Sequence, residues 1–176
     1  FAESGTSDRS AWRKEQCNLM VQAMYNAVKQ ANPKVLFGIS PQGTLSGNEK
    51  QSADVQTWGQ TAGYCDYLLP QLYFGFQNST APFAETAAFW AEQVTCPDVT
   101  LWIGICTYKI GQQDTWAGDG MTEVVSKELE LLCNMDGIDG AAIYDYASTF
   151  QPESSVSEIL SSERDAIQVL LQTPAN

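Results

Sequence analysis

Apolar positions follow helical spacing in some segments of the chain and form short continuous runs in others. The first segment predicts a long amphipathic helix that begins with Ser10 as its N-cap and ends before the sequence ANPK. The continuous runs are typical of strands buried on both faces. They predict four strands, at residues 34–40, 66–74, 100–110 and 140–148. Further helices are predicted at residues 53–64, 82–94, 122–135 and 154–172, with a polar loop at 42–53.

The regular alternation of strands and helices predicts a parallel sheet with right-handed crossovers and helices outside it. A doubly wound sheet and a (β/α)8 TIM barrel both fit this order. We favour the barrel, because the glycine signature of a dinucleotide site is missing after every strand. A barrel takes eight strands and about 250 residues. The four strands are therefore expected to form half of one barrel domain, with the other half upstream.

The composition indicates a globular chain and excludes several kinds of partner. Of the 176 residues, 44% are hydrophobic and 17% charged, which suits a packed core. Nine Lys and Arg against 21 Asp and Glu give a net charge of −12 without a basic stripe, so we expect no nucleic-acid partner. No apolar run is long enough to cross a bilayer, and residues 1–10 lack the features of a signal peptide.

The missing histidine and the cysteine spacing limit the chemistry. Without histidine, a reaction depends on carboxylates, tyrosines, lysine or an external cofactor. Five cysteines form no CxxC pair, which favours free thiols packed as small hydrophobic side chains. The sequence predicts neither a metal site nor a resident cofactor.

The predicted strands end in polar and aromatic residues. The carboxyl ends of parallel strands carry the working residues of such folds, and a mixture of aromatic rings, amides and charged donors suits a sugar. The alternative is that these side chains cap helices or pack against loops, and the sequence leaves both open. The candidate substrate-binding residues are Ser40, Gln71, Tyr73, Tyr108, Lys109 and Tyr144.

Charged residues near the predicted strand ends are few. Asp145 is the one carboxylate at a strand exit and is our candidate catalytic residue, although glycoside hydrolysis generally needs two. Asp66 and Asp139 precede their strands, where a role in stability is favoured. Lys109 is expected either to pair with an anion or to remain solvated. Arg13, in the first turn of the first helix, is expected to reach the site or to brace a loop.

Three strings in the chain resemble motifs of the glycosyl-hydrolase-like family 10 domain, a bacterial (β/α)8 barrel group. AWRKEQCNLMVQAMYNAVKQANPKVLFGISPQG resembles the family's Trp-Arg-Arg helix and the following Phe-Gly-Ile-Ser-Pro strand. DYLLPQLYF and LWIGICTYKIG resemble its Pro-Gln-Leu-Tyr and Tyr-Lys strands. The resemblance covers about Ser10 to Ser148 and implies that the chain supplies strands five to eight, the C-terminal half of the barrel.

The resemblance implies hydrolysis of a glycosidic bond in a bacterial envelope glycan, such as the peptidoglycan glycan strand, by a secreted or envelope protein. The family carries adjacent aspartates on the strand just upstream, so the main catalytic acids are expected outside this sequence. Phe74 replaces the family's usual Trp, and Asp145 stands where Ser is common. A non-catalytic carbohydrate-binding barrel and a scaffold half-barrel are the alternatives.

Four strand–helix units alone leave two open sheet edges and an uncovered inner face, both of which favour association. We therefore expect a partner that completes the barrel: its N-terminal half or a second copy of this chain. Acidic residues at the end of the preceding strand would favour the enzyme, whereas apolar or amide residues there would favour the binding module.

Overall fold

A computed structural model describes residues 1, 5, 7–111 and 123–172. These residues form helices and strands in alternation, with two additional short helices. The elements are α1 (Arg9–Ala31), β1 (Gly38–Ile39), α2 (Leu45–Lys50), α3 (Val55–Gln60), β2 (Tyr67–Leu68), α4 (Phe83–Gln93), β3 (Thr100–Cys106), α5 (Val124–Cys133), β4 (Gly140–Tyr144), α6 (Tyr146–Phe150) and α7 (Ser157–Gln172).

The predicted parallel sheet is confirmed. The strands lie in the order β1-β2-β3-β4, and all neighbours are parallel. The first two strands are shorter than predicted because Pro41 and Pro70 provide no N–H for the ladder. Hydrogen bonds continue beyond them, from Gln71 N to Pro41 O (3.0 Å) and from Gly104 N to Pro70 O (2.9 Å). The backbone therefore holds Gln71 in register with the longer strand β3.

The core lies on one face of the sheet. On β3, Leu101, Ile103 and Ile105 are buried, and the strand packs against α4 and α5. Trp102, which points to the other face, is 40% exposed. A doubly wound sheet is covered by helices on both faces. The described fold is therefore a mixed α/β structure with a parallel four-stranded sheet, consistent with part of a TIM barrel.

Carboxylates at the strand entrances link neighbouring strands. Asp66 accepts a hydrogen bond from the Phe37 backbone N–H (2.6 Å) and lies 2.7 Å from the Lys29 ammonium. Asp139 accepts from the backbone N–H of Leu101 (2.8 Å). Both carboxylates therefore support the sheet at the edge opposite the strand exits.

The structure corrects several predicted boundaries. The N-cap of α1 is Asp8 and not Ser10, because the Asp8 carboxylate accepts from the backbone N–H groups of Ser10 (2.9 Å) and Ala11 (3.0 Å). The predicted loop 42–53 contains the helix α2. The Thr44 hydroxyl caps the start of this helix by accepting a hydrogen bond from the Gly47 backbone N–H. The predicted strand 140–148 ends at Tyr144, and α6 begins at Tyr146 with Asp145 as its N-cap. Residue 122, the predicted start of α5, lies outside the described residues.

Candidate active site

Three tyrosines meet at the strand exits and form what we call the tyrosine cluster: Tyr73, Tyr108 and Tyr144. The rings of Tyr73 and Tyr144 are stacked, with centroids 5.9 Å apart and an interplanar angle of 23°. The Tyr108 ring meets both of them edge-on, at 5.9 Å from Tyr73 and 6.1 Å from Tyr144. Tyr108 and Tyr144 are 39% and 55% exposed, so the cluster presents aromatic surface to solvent.

Hydrogen bonds below the cluster fix the loops that carry it. The Lys109 ammonium donates to the Tyr73 carbonyl oxygen (2.8 Å), which ties the exit of β3 to the segment after β2. The buried Thr107 hydroxyl lies 2.7 Å from the Ser148 hydroxyl and 2.8 Å from that of Thr149. These bonds join the exits of β3 and β4 because both hydroxyl partners belong to α6. The loops are therefore held in place before any ligand arrives.

A cleft of about 390 Å³ opens beside the cluster. The Gln71 amide Nε2 lies 3.3 Å from both the carbonyl oxygen and the hydroxyl of Ser40, so the two polar side chains share one side of the cleft. A cleft of this size, with apolar walls and few placed polar groups, is typical of a small-molecule site. The lining residues are Ser40, Leu69, Gln71, Tyr73, Ala142, Ile143 and Tyr144.

The Tyr73 hydroxyl stays protonated over the physiological range. Burial is the largest cause that raises its pKa to about 12, and the neighbouring Cys106, Tyr108, Tyr144 and Asp145 add to the effect. A neutral phenol both donates and accepts a hydrogen bond. This suits recognition of a hydroxyl group, and it excludes Tyr73 as an ionised base near neutral pH.

Asp145 caps α6. Its carboxylate accepts hydrogen bonds from the Ser148 backbone N–H (2.8 Å) and hydroxyl (3.0 Å), and the hydroxyl in turn accepts from the Asp145 N–H, completing a capping box. The backbone hydrogen bond from Ser148 is the main reason why the pKa of Asp145 is lowered. The group is therefore ionised at neutral pH and holds no proton to donate to a leaving group.

The structure brings together five of the predicted binding residues: Ser40, Gln71, Tyr73, Tyr108 and Tyr144. Lys109 lies beside them, but its ammonium binds a backbone carbonyl. Arg13 is exposed on α1, and within the described ranges its side chain makes no hydrogen bond or ion pair with the cluster.

Sequence reasoning missed the hydroxyl network of Thr107, Ser148 and Thr149. The spacing of Asp145 and Ser148, three residues apart, matches a capping box, and this signal could have predicted a helix start where the sequence analysis predicted a strand. In the described part of the chain, no group of three or more acidic, cysteine or histidine side chains could hold a metal ion. The five cysteines, all within the described residues, form no disulfide bond. No described helix is long and apolar enough to span a membrane.

The aromatic and amide-lined cleft thus lies at the strand exits of a parallel α/β sheet that is consistent with part of a TIM barrel. The sequence profile of the glycosyl hydrolase-like 10 family matches residues 2–118. The chain belongs to this family.

Similar curated proteins are also named glycosyl hydrolases. The chain is 26% identical to glycosyl hydrolase DigH of Escherichia coli strain K12 over 88% of its own length and 40% of that protein. It is 30% identical to glycosyl hydrolase YngK of Bacillus subtilis strain 168, over 62% of this chain and 24% of that protein. The chain thus spans about two fifths of DigH. These relatives support a role related to glycosidases.

Proposed function

We propose that this chain is the C-terminal half of a glycoside hydrolase barrel that cleaves O-glycosidic bonds of a bacterial envelope polysaccharide, such as the peptidoglycan glycan strand. The tyrosine cluster beside the Gln71 and Ser40 cleft carries this proposal, because aromatic faces stack on the apolar faces of sugar rings and amides bind their hydroxyls. Membership of the glycosyl hydrolase-like 10 family supports the reaction class.

Each residue of the site has a proposed role. Tyr73 and Tyr144 provide stacking surface, and Gln71 binds a sugar hydroxyl with Ser40 beside it. Tyr108 closes one side of the cluster. Lys109 positions the Tyr73 backbone, and Arg13 provides an outer contact at the start of α1, on the strand-exit side.

Glycoside hydrolysis needs a carboxylic acid that protonates the leaving group and a second carboxylate that acts as base or nucleophile. The lowered pKa of Asp145 suits the second role or electrostatic stabilisation, and it does not suit the first. The proton donor is therefore assigned to a carboxyl outside the described residues, in the half of the barrel that would complete the sheet.

The proposed partner is a surface that closes the sheet. β1 and β4 are the terminal strands of the described sheet, and the inner face exposes Trp102. The N-terminal half of the same barrel would cover both edges, and a second copy is the alternative occupant. A secreted or envelope location accompanies the proposed substrate.

One observation favours a second function, a carbohydrate-binding module without catalysis. Among the described residues that line the cleft, none is a carboxylate. Such a module would retain the tyrosine cluster and would bind the glycan without cleaving it.

The test is to incubate the full-length protein with purified peptidoglycan glycan strands and to measure new reducing ends by mass spectrometry. We expect cleavage, a severe loss with Tyr73→Ala, and a loss in turnover with Asp145→Asn. Binding without cleavage would support the module instead. Neither binding nor cleavage, with this glycan or with other envelope polysaccharides, would refute both functions. Unchanged affinity and turnover in Gln71→Ala and Lys109→Ala would remove these residues from the site.

A further inference from the structure

The loop that follows β1 carries Ser40 into the cleft and also holds Gln71. The Pro41 carbonyl oxygen accepts a hydrogen bond from the Gln71 backbone N–H (3.0 Å). The carbonyl oxygen and the hydroxyl of Ser40 each lie 3.3 Å from the Gln71 amide Nε2. Residues 40 and 41 therefore place both the backbone and the side chain of Gln71, so a group that fixes this loop also fixes Gln71.

Asn48 of α2 fixes the loop at Gln42. Its side chain is buried, with the residue 1% exposed. The amide oxygen accepts from the Gln42 backbone N–H (3.0 Å), and the amide nitrogen donates to the carbonyl oxygens of Gln42 (2.8 Å) and Thr44 (2.9 Å). Among side chains, asparagine and glutamine alone combine an uncharged acceptor with two N–H donors, and asparagine is the shorter. The contact with Gln42 therefore depends on this residue type.

A second buried group binds the same loop. The Trp90 indole N–H donates to the Gly43 carbonyl oxygen (2.8 Å). A side chain at Gly43 would collide with the Gln71 carbonyl oxygen, so the loop lies directly against the segment after β2. Asn48 itself does not line the cleft. It can therefore affect a ligand in the cleft only through this closely packed loop.

We propose that Asn48 is a positioning residue, which sets the place of the Gln71 amide and the Ser40 hydroxyl through the backbone of Gln42. This inference rests on the proposed function, because the role of Gln71 in binding a sugar hydroxyl belongs to that function. If Asn48 stabilised α2 alone, its loss would lower stability and leave substrate binding unchanged. Because it acts through Gln71, its loss weakens substrate binding and has no further effect once the Gln71 amide is removed.

The experiment measures the formation of reducing ends from peptidoglycan glycan strands by the full-length protein, with Asn48→Ala and Gln71→Ala made singly and together. We expect Asn48→Ala to raise KM about fivefold with kcat nearly unchanged, the loss of roughly one hydrogen bond to the substrate. In the Gln71→Ala background it should change KM less than about twofold. Asn18→Ala is the matched control, because the Asn18 amide also makes two side-chain hydrogen bonds, with Asp54 (2.9 Å) and Trp58 (2.7 Å), away from the cleft. It should leave KM unchanged in both backgrounds.

The NMR signal of the Gln71 side-chain amide gives a readout that does not depend on hydrolysis. We expect Asn48→Ala to shift this signal and Asn18→Ala to leave it in place. If Asn48→Ala does not fold, Asn48→Asp provides the same comparison, because it keeps the acceptor for the Gln42 N–H and removes the two donors.

Three results would overturn the inference: a Gln71 amide signal that does not shift, a rise in KM of equal size with and without Gln71, or an equal rise in Asn18→Ala. The proposed function stands in each case if the wild-type protein cleaves the glycan strand. If the wild-type protein neither binds nor cleaves it while Asn48→Ala shifts the Gln71 amide signal, the proposed function fails and the positioning of Gln71 by Asn48 is retained.

Discussion

Glu128 tests how a buried carboxyl group affects the stability of this fold. The residue lies on α5 with 0% exposure, and neither of its carboxyl oxygens has a hydrogen-bond partner among the residues that the structure describes. Glu163 of α7 is also buried, and its carboxylate accepts from the backbone N–H groups of Val125 (3.2 Å) and Ser126 (3.1 Å). Burial, and then the nearby Glu163 charge, raise the pKa of Glu128 well above its usual range.

The direction of this pKa shift fixes the dependence of stability on pH. A carboxyl whose pKa is higher in the folded state than in the unfolded state, about 4.3 for glutamate, stabilises the fold fully below that value. The contribution is lost as pH rises toward the folded-state pKa, with a slope that approaches about 1.4 kcal/mol per pH unit. Glu128 therefore makes the protein less stable at about pH 8 than at about pH 5.

Two substitutions separate the charge from the unpaired polar group. Glu128→Gln removes the ionisation, so it should change stability little at about pH 5 and raise it at about pH 8. Glu128→Leu also removes a buried polar group without a partner, which costs about 1–3 kcal/mol. We therefore expect the leucine variant to have a higher free energy of unfolding than both the wild type and the glutamine variant at both pH values.

The assay is urea denaturation followed by tryptophan fluorescence and circular dichroism, because the difference between each variant and the wild type isolates Glu128 from other titrating groups. Glu130→Gln is the matched control on the same helix: Glu130 is exposed, and the change should stay within about 0.5 kcal/mol. A Glu128→Gln variant that loses stability at about pH 8, or keeps the wild-type pH dependence, would refute the reasoning.

Three further predictions concern the core, the strand entrance and the thiols. Trp90→Ala empties a fully buried position and should lower the free energy of unfolding by about 3–5 kcal/mol in urea; a loss below about 1 kcal/mol would contradict the packing. Asp66→Asn weakens the 2.7 Å ion pair with Lys29 and should lower Tm by about 2–4 °C in calorimetry, whereas an unchanged Tm would show that the pair contributes nothing. Cys133 is exposed, and burial raises the pKa of Cys65 to about 12, so a maleimide should label Cys133 first; peptide mapping that finds Cys65 labelled first would contradict this.

The overall fold was predictable because its signals are local and repeated. Apolar periodicity located α1, α4, α5 and α7, and the alternation with apolar runs predicted the parallel sheet. The ends of the first two strands were harder to predict. Pro41 and Pro70 interrupt the hydrogen bonding, while the apolar pattern continues past them.

The two short helices depend on side-chain contacts that a hydrophobic pattern does not encode. In α2, the buried Asn48 amide donates to the carbonyl oxygens of Gln42 (2.8 Å) and Thr44 (2.9 Å), so a polar segment folds into a helix. In α6, the Asp145 capping box ends the strand earlier than the apolar run predicts. Hydrogen bonds of this kind can be recognised only when the positions of the neighbouring residues are known.

The candidate site was predictable in its residue types and less so in its contacts. The strand-exit rule identified Gln71, Tyr73, Tyr108 and Tyr144 together, since parallel strands end at one edge. The sequence did not determine the hydrogen-bond partner of Lys109, because a long lysine side chain can reach several groups. In the structure its ammonium donates to the Tyr73 carbonyl oxygen. Such choices are set by tertiary geometry and not by spacing along the chain.

The most direct test of sugar binding at the tyrosine cluster is NMR of the full-length protein with labelled tyrosine rings, titrated with oligosaccharides prepared from peptidoglycan glycan strands. The account predicts saturable shifts of the Tyr73, Tyr108 and Tyr144 ring signals. Tyr25, whose hydroxyl lies 3.5 Å from Asp66 at the strand entrances, is the internal control and should not shift. Binding that shifts the ring signals of other tyrosines and leaves the tyrosine cluster unchanged would contradict the central claim.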